Sequence, residues 1–578
     1  MASNDAIDPI TTEIIRNAFV SIAQDMNATL IRSAYTPIIY EGKDCSVALL
    51  DADGNVLGQS LGLPLFLGNL EVCVKLTAEL YGWDFFKPGD VFYMNDSYMT
   101  GTHLNDATVF APIFHGGVRV GFSSSRAHWL DVGAKDPGGP MDSHEIYQEG
   151  MRWPPTRIYE HGQPRSDVIE LLRRNSRFGT ALVGDLNAQI AAGRTGEARY
   201  VALIERFGYD TVQAARDEIF RQSEVLEREA VTALPNGVYE SEGSIDSDGL
   251  GSEPLRVKLT VTIDGDTMSI DLAGSADQAT GPVNCGFAQT ISACRVAFKL
   301  LINPERPVDG GTFRTLTILA PEGSLFRAQE PAACQWYFSS LGLLIDLFVK
   351  ALAPIAPDAA AAAHYGDSMV VLIYGMDPRN GSPFLAIEPT PGGWGAYHDG
   401  DGQDGLINLV NGAFKDLPVE VYENKFPILI HRTGFASDTG GPGRHRGGCG
   451  LRREYTLETD ATLSLWFERS VTTAWGLFGG EAGAGPRITL VRNGEEESGP
   501  LKVNGMRIRA GTVLRLETGG GGGYGPAHER DPQSVATDVL DGYVSIEAAE
   551  RDYGVALGPD GRVDERRTSS LRTSAAST

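Results

Sequence analysis

Apolar side chains recur at helical spacing through 11–29, at Ile14, Ile15, Phe19, Ile22 and Met26, which predicts an amphipathic N-terminal helix. The period then drops to two. Residues 44–50 (DCSVALL) and 56–59 flank Asp51-Ala52-Asp53-Gly54-Asn55, a strand, turn and strand whose turn chemistry lies in the Asp-Gly pair. Another strand is expected at 91–95 (VFYMN). Two further apolar runs, 107–114 and 118–124, are separated by His115-Gly116-Gly117, a hairpin signal. Residues 166–234 return to helical spacing with few β-branched clusters and predict three or four helices ending before Pro235-Asn236-Gly237. From Val238 alternation resumes, with an Asp-Gly hairpin inside LRVKLTVTIDGDTMSIDLAG.

Residues 284–303 and 335–352 carry strongly apolar helical faces, 354–363 reads as a short alanine-rich helix, and 369–374 as a strand. Beyond about 420 the strands are short and glycine turns frequent, so a β-rich C-terminal part is expected. The fold class that follows is a multidomain α+β protein. Its parts would be a mixed α/β region bearing the hairpin (1–165), a helical segment (166–234), a central α+β domain (235–420), a β-rich domain (421–557) and a loose, disordered tail (558–578) rich in Ser, Thr and Arg.

A chain of 578 residues exceeds what one core holds. Its net charge of −26, with no block of Lys or Arg, gives phosphates no footprint and argues against nucleic-acid binding. No apolar run is long enough to span a membrane, and the N-terminal residues lack the basic-then-apolar order of a secretory signal. The six cysteines (Cys45, Cys73, Cys285, Cys294, Cys334, Cys449) contain no C-x-x-C and read as reduced thiols, which points to a cytoplasmic protein.

The strongest chemical signal surrounds the first hairpin. His103 and Asp106 lie three residues apart in GTHLNDAT, and His128 follows in SSRAHWLD. With the turn centred at Gly116, Leu104 would face His128 and Asp106 would face Arg126. Asp106 and His128 would then be diagonal neighbours on one face, roughly 7–8 Å apart, and His103, just before the run, can turn towards them. Nitrogen and oxygen donors of this kind suit zinc, manganese or ferrous iron rather than copper(I) or an iron–sulfur cluster. Asp44, at the start of an apolar strand, is a candidate fourth ligand; the alternatives are a cap or an ion pair with Lys43 or Arg126. Arg126 is a candidate for an anionic substrate group or a salt bridge to Asp106. Asp131 is read as orienting an imidazole or capping a turn, and Glu149 (with Glu145) as a general base or a solvated loop carboxylate.

Other motifs weigh less. Residues 518–525 (TGGGGGYG) match G-x-G-x-x-G by letter, but Pro526 stands where a helix should run, and no Walker pattern occurs in the chain. The run is read as an anion nest or as backbone passing close to another element, and 440–450 (GGPGRHRGGCG) as equally permissive, with Arg444 and Arg446 open to an acidic partner. GQSLG at 58–62 matches a nucleophile elbow by letter, but Gly62-Leu63-Pro64 interrupts the helix that Ser60 would need. The Asp399/Asp401/Asp404 group departs from an EF-hand loop and reads as a polar turn.

Several of these segments match one family. DPITTEIIRNAFVSIAQDMNATLIRSAYTPIIYEGKDCSVALLDADG, PGDVFYMNDSYMTGTHLNDATVFAPIF and RAHWLDVG resemble the hydantoinase B/oxoprolinase family, as do AGSADQATGPVN, DTGGPGRHRGGCG, GGGGGYG and the closing RDYGV. The resemblance covers roughly 8–555. It implies the metal-bearing β subunit of an ATP-dependent hydrolase of cyclic amides (hydantoins or lactams), with metal ligands at Asp44, His103, Asp106 and His128. Zinc is the first choice of ion, then manganese or iron. It also implies a companion A-type subunit of actin-like ATPase fold that binds ATP and phosphorylates the substrate oxygen, in a heterotetramer. The same resemblance leaves open a subunit of an ATP-dependent ketone carboxylase, or a scaffold without catalytic function.

Overall fold

The computed structural model describes residues 7–251 and 253–575. Among these the chain divides into two compact units, each assembled from discontinuous segments: 1–238, 260–337 and 411–415 form the first, and 239–259, 338–410 and 416–578 the second. This division is coarser than the five-part reading of the sequence.

The first unit is built on a seven-stranded sheet. Its strands are β1 (Cys45–Asp51), β2 (Val56–Gln59), β3 (Val91–Met94), β4 (Asp106–His115), β5 (Val118–His128), β6 (Thr156–Glu160) and β7 (Gln163–Pro164), in the order β2-β1-β5-β4-β3-β6-β7. Every pairing is antiparallel. Alternation along the strands sorts two faces. Ala48, Leu50, Phe92, Met94, Phe110 and Phe122 pack with Leu70, Cys73 and Val74 of the helix Leu70–Tyr81. On the opposite face Tyr93, Ala107 and Val109 pack with Leu182, Leu186 and Ile190 of the helix Gly179–Phe207. The predicted N-terminal helix runs Pro9–Ser33, started by Pro9 at N1 and by Asp8, which accepts from the Thr11 N–H, and buries Ile15, Phe19, Ile22 and Met26. The helical segment resolves into Ser166–Arg174, Gly179–Phe207 and Tyr209–Thr232.

The β4–β5 register differs from the expected one. Gly116 and Gly117 both have positive φ (58° and 82°), as a two-residue primed turn requires. A register shift between Ile113 and Phe114 then slides the strands, so Asp106 pairs directly with His128 and Thr108 with Arg126. The bulge leaves no mark in the residue pattern.

In the second unit Pro383–Pro389, Val370–Met376, Ala461–Trp466 and Lys502–Ile508 form one antiparallel sheet. A second contains Ile428–Phe435, Leu451–Leu457, Val513–Glu517, Arg487–Arg492 and Glu495–Ser498. Val371, Ile373, Leu463 and Leu465 of the first share a core with Tyr455, Leu457, Leu514 and Leu516 of the second. The β-rich expectation holds, with two corrections. Residues 354–363 form no helix: turns extend to 359 and Ala361 then bridges Tyr397; in the tail Glu565–Ala575 is helical, with Arg572 donating to the carbonyls of Tyr553 and Arg530. The tail's last three residues, 576–578, lie outside the described residues.

The glycine-rich loops pack backbone against backbone. Gly521 N–H donates to Gly448 O, Gly441 N–H to Gly521 O and Gly393 N–H to Gly519 O. A Cβ on Gly447 would lie 1.9 Å from Gly521 O, and one on Gly521 2.0 Å from Trp394 O. Of the two readings of TGGGGGYG, close approach is therefore the one realised, since these N–H groups bond carbonyls. Arg446, Asp401 and Asp404 await no outside partner: Arg446 pairs with Asp404, and Arg530 with Asp401.

Candidate metal centre

Three elements deliver the site. The helix Ser97–Thr100 is capped by Asp96, which accepts from Tyr98 N–H, and stopped by Gly101 in the left-handed region (φ 83°). The chain must then turn, and two asparagines hold the turn. Asn95 Nδ2 donates to Leu104 O and Met151 O, and Asn105 Nδ2 to Trp129 O. This fixes His103 beside Asp106, the first residue of β4. His128 ends β5, its N–H donating to Asp44 O, and the next residue, Trp129, stacks on Tyr93 and donates to Gln189 Oε1.

The three side chains converge on the sheet face that carries Phe110 and Phe122. His103 Nε2 lies 2.9 Å from Asp106 Oδ1 and 3.2 Å from His128 Nδ1, which is 3.3 Å from the same oxygen. Ligands at bond lengths of about 2.0–2.1 Å around a tetrahedral ion sit about 3.3 Å apart, so the spacing is that of a ligand set. All three are buried, and they form a group able to hold a metal among the described residues. Asp44 lies outside that tight group. It borders it closely enough to interact electrostatically with His128, Asp106 and His103, and its Oδ1 is buried with no hydrogen-bond partner. The ion-pair alternatives for Asp44 find no support: Lys43 Nζ donates to Tyr40 O, and Arg126 bonds elsewhere.

Burial dominates the electrostatics of these groups, and their charges resolve the rest. It pushes the Asp44 carboxyl up to about 6. Burial opposes ionisation of Asp106 too, but His103 and His128 outweigh it and hold this carboxyl well below the usual range. Burial would depress His103, yet Asp106 raises it. His103 Nδ1 faces Gln335 O at 3.0 Å, with Gln335 Nε2 at 3.2 Å. An imidazolium donating to Gln335 O and to Asp106 Oδ1 satisfies both acceptors. Removing the Nε2 proton leaves a lone pair aimed into the cluster, the tautomer a metal needs.

The other candidates sit elsewhere in the network. Arg126 is fully buried and donates to Thr108 Oγ1, Asn69 Oδ1 and Cys73 Sγ, so these bonds run to neighbours other than Asp106. Asp131 takes Arg177, through its N–H and guanidinium, instead of an imidazole. Glu149 is no solvated loop carboxylate. It is fully buried and accepts from Ser143 Oγ and from the N–H groups of Cys334 and Gln335, and burial pushes it up to about 7. Glu145, by contrast, is exposed. Ser60 Oγ donates to Leu61 O, and no helix starts there before Pro64. Two contributors escape the sequence reading. One is the Gln335 carbonyl; the other is Tyr337, whose hydroxyl donates to Asp106 Oδ2 at 3.1 Å. A Tyr beginning an apolar helix carries no sign of such a role.

Comparison with known proteins agrees along nearly all of the chain. The model for hydantoinase B/oxoprolinase matches residues 8–527. A protein provisionally named as the B-type component of a D-/L-hydantoinase, from Pseudomonas sp. (strain NS671), is 32% identical over 584 residues, 98% of either chain. The β chain of caprolactamase from Pseudomonas jessenii is 31% identical over 98% of this chain and 99% of its own. The crystal structure of the ATP-dependent caprolactamase from Pseudomonas jessenii superimposes with a TM-score of 0.90 at 29% identity, over 98% of this chain and 100% of that one. Among the described residues no helix is long and apolar enough to cross a membrane. With a family match that runs through both compact units, the chain belongs to the hydantoinase B/oxoprolinase family.

Proposed function

We propose that this chain is the metal-bearing β subunit of an ATP-dependent hydrolase of cyclic amides, of the hydantoinase and lactamase type. The observation that carries the reading is the mutual spacing of His103 Nε2, Asp106 Oδ1 and His128 Nδ1, within 2.9–3.3 Å, beside the unpartnered Asp44 Oδ1. Two imidazoles and two carboxylates would hold a divalent ion, zinc first by donor type and manganese or iron next. Such an ion supplies Lewis acidity and activates water at neutral pH. The chain's residues do the rest. Gln335 O keeps the Nδ1 proton of His103, Asp106 and Asp44 offer anionic oxygens, and burial keeps bulk water from the donors.

A companion A-type ATPase subunit, in a heterotetramer, would phosphorylate the amide oxygen and so abolish the resonance that protects the ring. Water then adds to the activated carbon, the C–N bond of that adduct breaks as the nitrogen takes a proton, and a second water hydrolyses the acyl phosphate so formed to carboxylate and phosphate. ATP belongs to that partner, and a cytoplasmic location fits its supply.

The test combines elemental analysis of the complex with a panel of hydantoins and lactams plus ATP. One metal per chain and ATP-driven ring opening without bicarbonate support the reading. Strict dependence on bicarbonate would replace it with a ketone carboxylase. Turnover that survives His103→Ala with His128→Ala in a folded complex would leave this chain as a scaffold.

A further inference from the structure

The ligand residues lie in the first quarter of the chain, yet their orientation depends on a four-residue segment more than two hundred positions later. Cys334, Gln335, Trp336 and Tyr337 (CQWY) run past the cluster just as the helix Tyr337–Leu352 begins. Gln335 presents its carbonyl to His103 Nδ1 at 3.0 Å, and Tyr337 donates its hydroxyl to Asp106 Oδ2 at 3.1 Å. The Tyr337 ring also stands edge-on to His103, at 90° and 5.4 Å between centroids.

The segment is pinned where it meets the site. Both oxygens of Glu149 accept from Cys334 N–H at 3.0 Å, and one also accepts from Gln335 N–H at 3.0 Å. Ser143 Oγ donates to the same carboxyl at 2.7 Å, and Trp336 Nε1 donates to Pro140 O at 2.9 Å. Next to Pro140, Gly139 has φ 111°, and a Cβ there would lie 2.2 Å from Gln335 Nε2, so the strap lies directly against that loop. A fully buried carboxyl is expensive to maintain. Here it is spent on two consecutive main-chain N–H groups, and the carbonyl and side chain that follow them touch two ligands.

We infer that 334–337, clamped by Glu149, is a positioning strap for the metal ligands, with Tyr337 as the residue that restricts Asp106 to one coordinating oxygen. Asp106 Oδ1 faces both imidazoles while Oδ2 is held by the Tyr337 hydroxyl, so Oδ1 is the oxygen that would be offered to an ion. Gln335 O fixes the other ligand, setting the His103 tautomer. Such outer partners fix ring orientation and ligand denticity in metal sites generally. Neither residue touches the reacting atoms; both act through the ligands. The inference rests on the metal reading above.

The experiment uses the full chain, stripped and titrated with cobalt(II), with the visible absorption spectrum and the dissociation constant as readouts. Tyr337→Phe keeps the ring and removes only the hydroxyl. It is expected to weaken cobalt binding about 10–100-fold and to change the spectrum as Asp106 becomes free to bind through both oxygens. Glu149→Gln, which contacts no ligand, is expected to weaken binding in the same range by loosening the strap. Both variants binding cobalt within about twofold of the unmodified chain, with superimposable spectra, would overturn the positioning role alone. An unmodified chain that binds no cobalt would overturn the metal reading and this inference with it.

Discussion

His103 Nε2 and His128 Nδ1 face each other at 3.2 Å, with the Asp106 carboxylate closing the triangle. Two imidazole nitrogens and a carboxylate oxygen at this spacing match the donor atoms around one divalent ion. Replacing both, His103→Ala with His128→Ala, is therefore expected to reduce metal content from about one ion per chain to near zero. Activity should fall by more than the roughly hundredfold that loss of a mere outer partner produces. Metal analysis and turnover, with circular dichroism to verify the fold, check this.

Protons compete for the same atoms. Burial holds Asp44 protonated up to about pH 6, and Asp106 stabilises the charged form of His103. A divalent ion must displace these protons, so affinity should decline as pH falls through the raised pKa of His103, above its ordinary 6.5, and decline further through 6, where Asp44 takes its proton. The slope is about tenfold per pH unit for each proton released. Competition titrations with a chelator between pH 5 and 8 measure it.

Glu149 gives the metal-free chain a stability signature of opposite sense to an ordinary ion pair. Burial raises its folded pKa from 4.5 to about 7. Below 4.5 both folded and unfolded forms hold the proton and the group costs nothing. Between about 4.5 and 7 the unfolded chain ionises first, so stability declines with rising pH, by about 3 kcal/mol in total. Denaturant midpoints across that window should flatten in Glu149→Gln.

The glycine layer makes a sharper demand than any side chain. Gly447→Ala would set a methyl 1.9 Å from Gly521 O, where main chain on both sides leaves nothing flexible to move. A loss of about 3 kcal/mol or failure to fold is expected. Gly434→Ala, with nothing within 4 Å of the new methyl, should change stability by less than about 0.5 kcal/mol. Thermal or chemical unfolding of the two variants settles the contrast.

What is legible in the sequence follows from where the chemistry resides. Period-two runs around Gly116-Gly117 expose the hairpin, and His103, Asp106 and His128 expose the donor set, because imidazoles and carboxylates are conspicuous by type. The direct Asp106–His128 pairing escapes the pattern because the slip between Ile113 and Phe114 is a backbone event with no residue signature. The alanines of 354–363 favour helix by propensity, yet the structure places turns up to 359 and a β-bridge from Ala361 to Tyr397. The helix Glu565–Ala575 is hidden by its polar composition; Thr568 and Arg572 secure it through bonds to Ala556, Tyr553 and Arg530. Gln335 cannot be nominated at all, since its contribution is a carbonyl that every residue possesses.

A partner of that kind alters how such a centre drifts over generations. The acceptor for His103 Nδ1 is main chain, so no exchange of the residue at position 335 can delete it. The ring's protonation pattern is thereby shielded from point substitution at its own partner. On the Nδ1 side it remains exposed to changes that shift the path of the polypeptide, as at Gly139, Ser143 or Glu149.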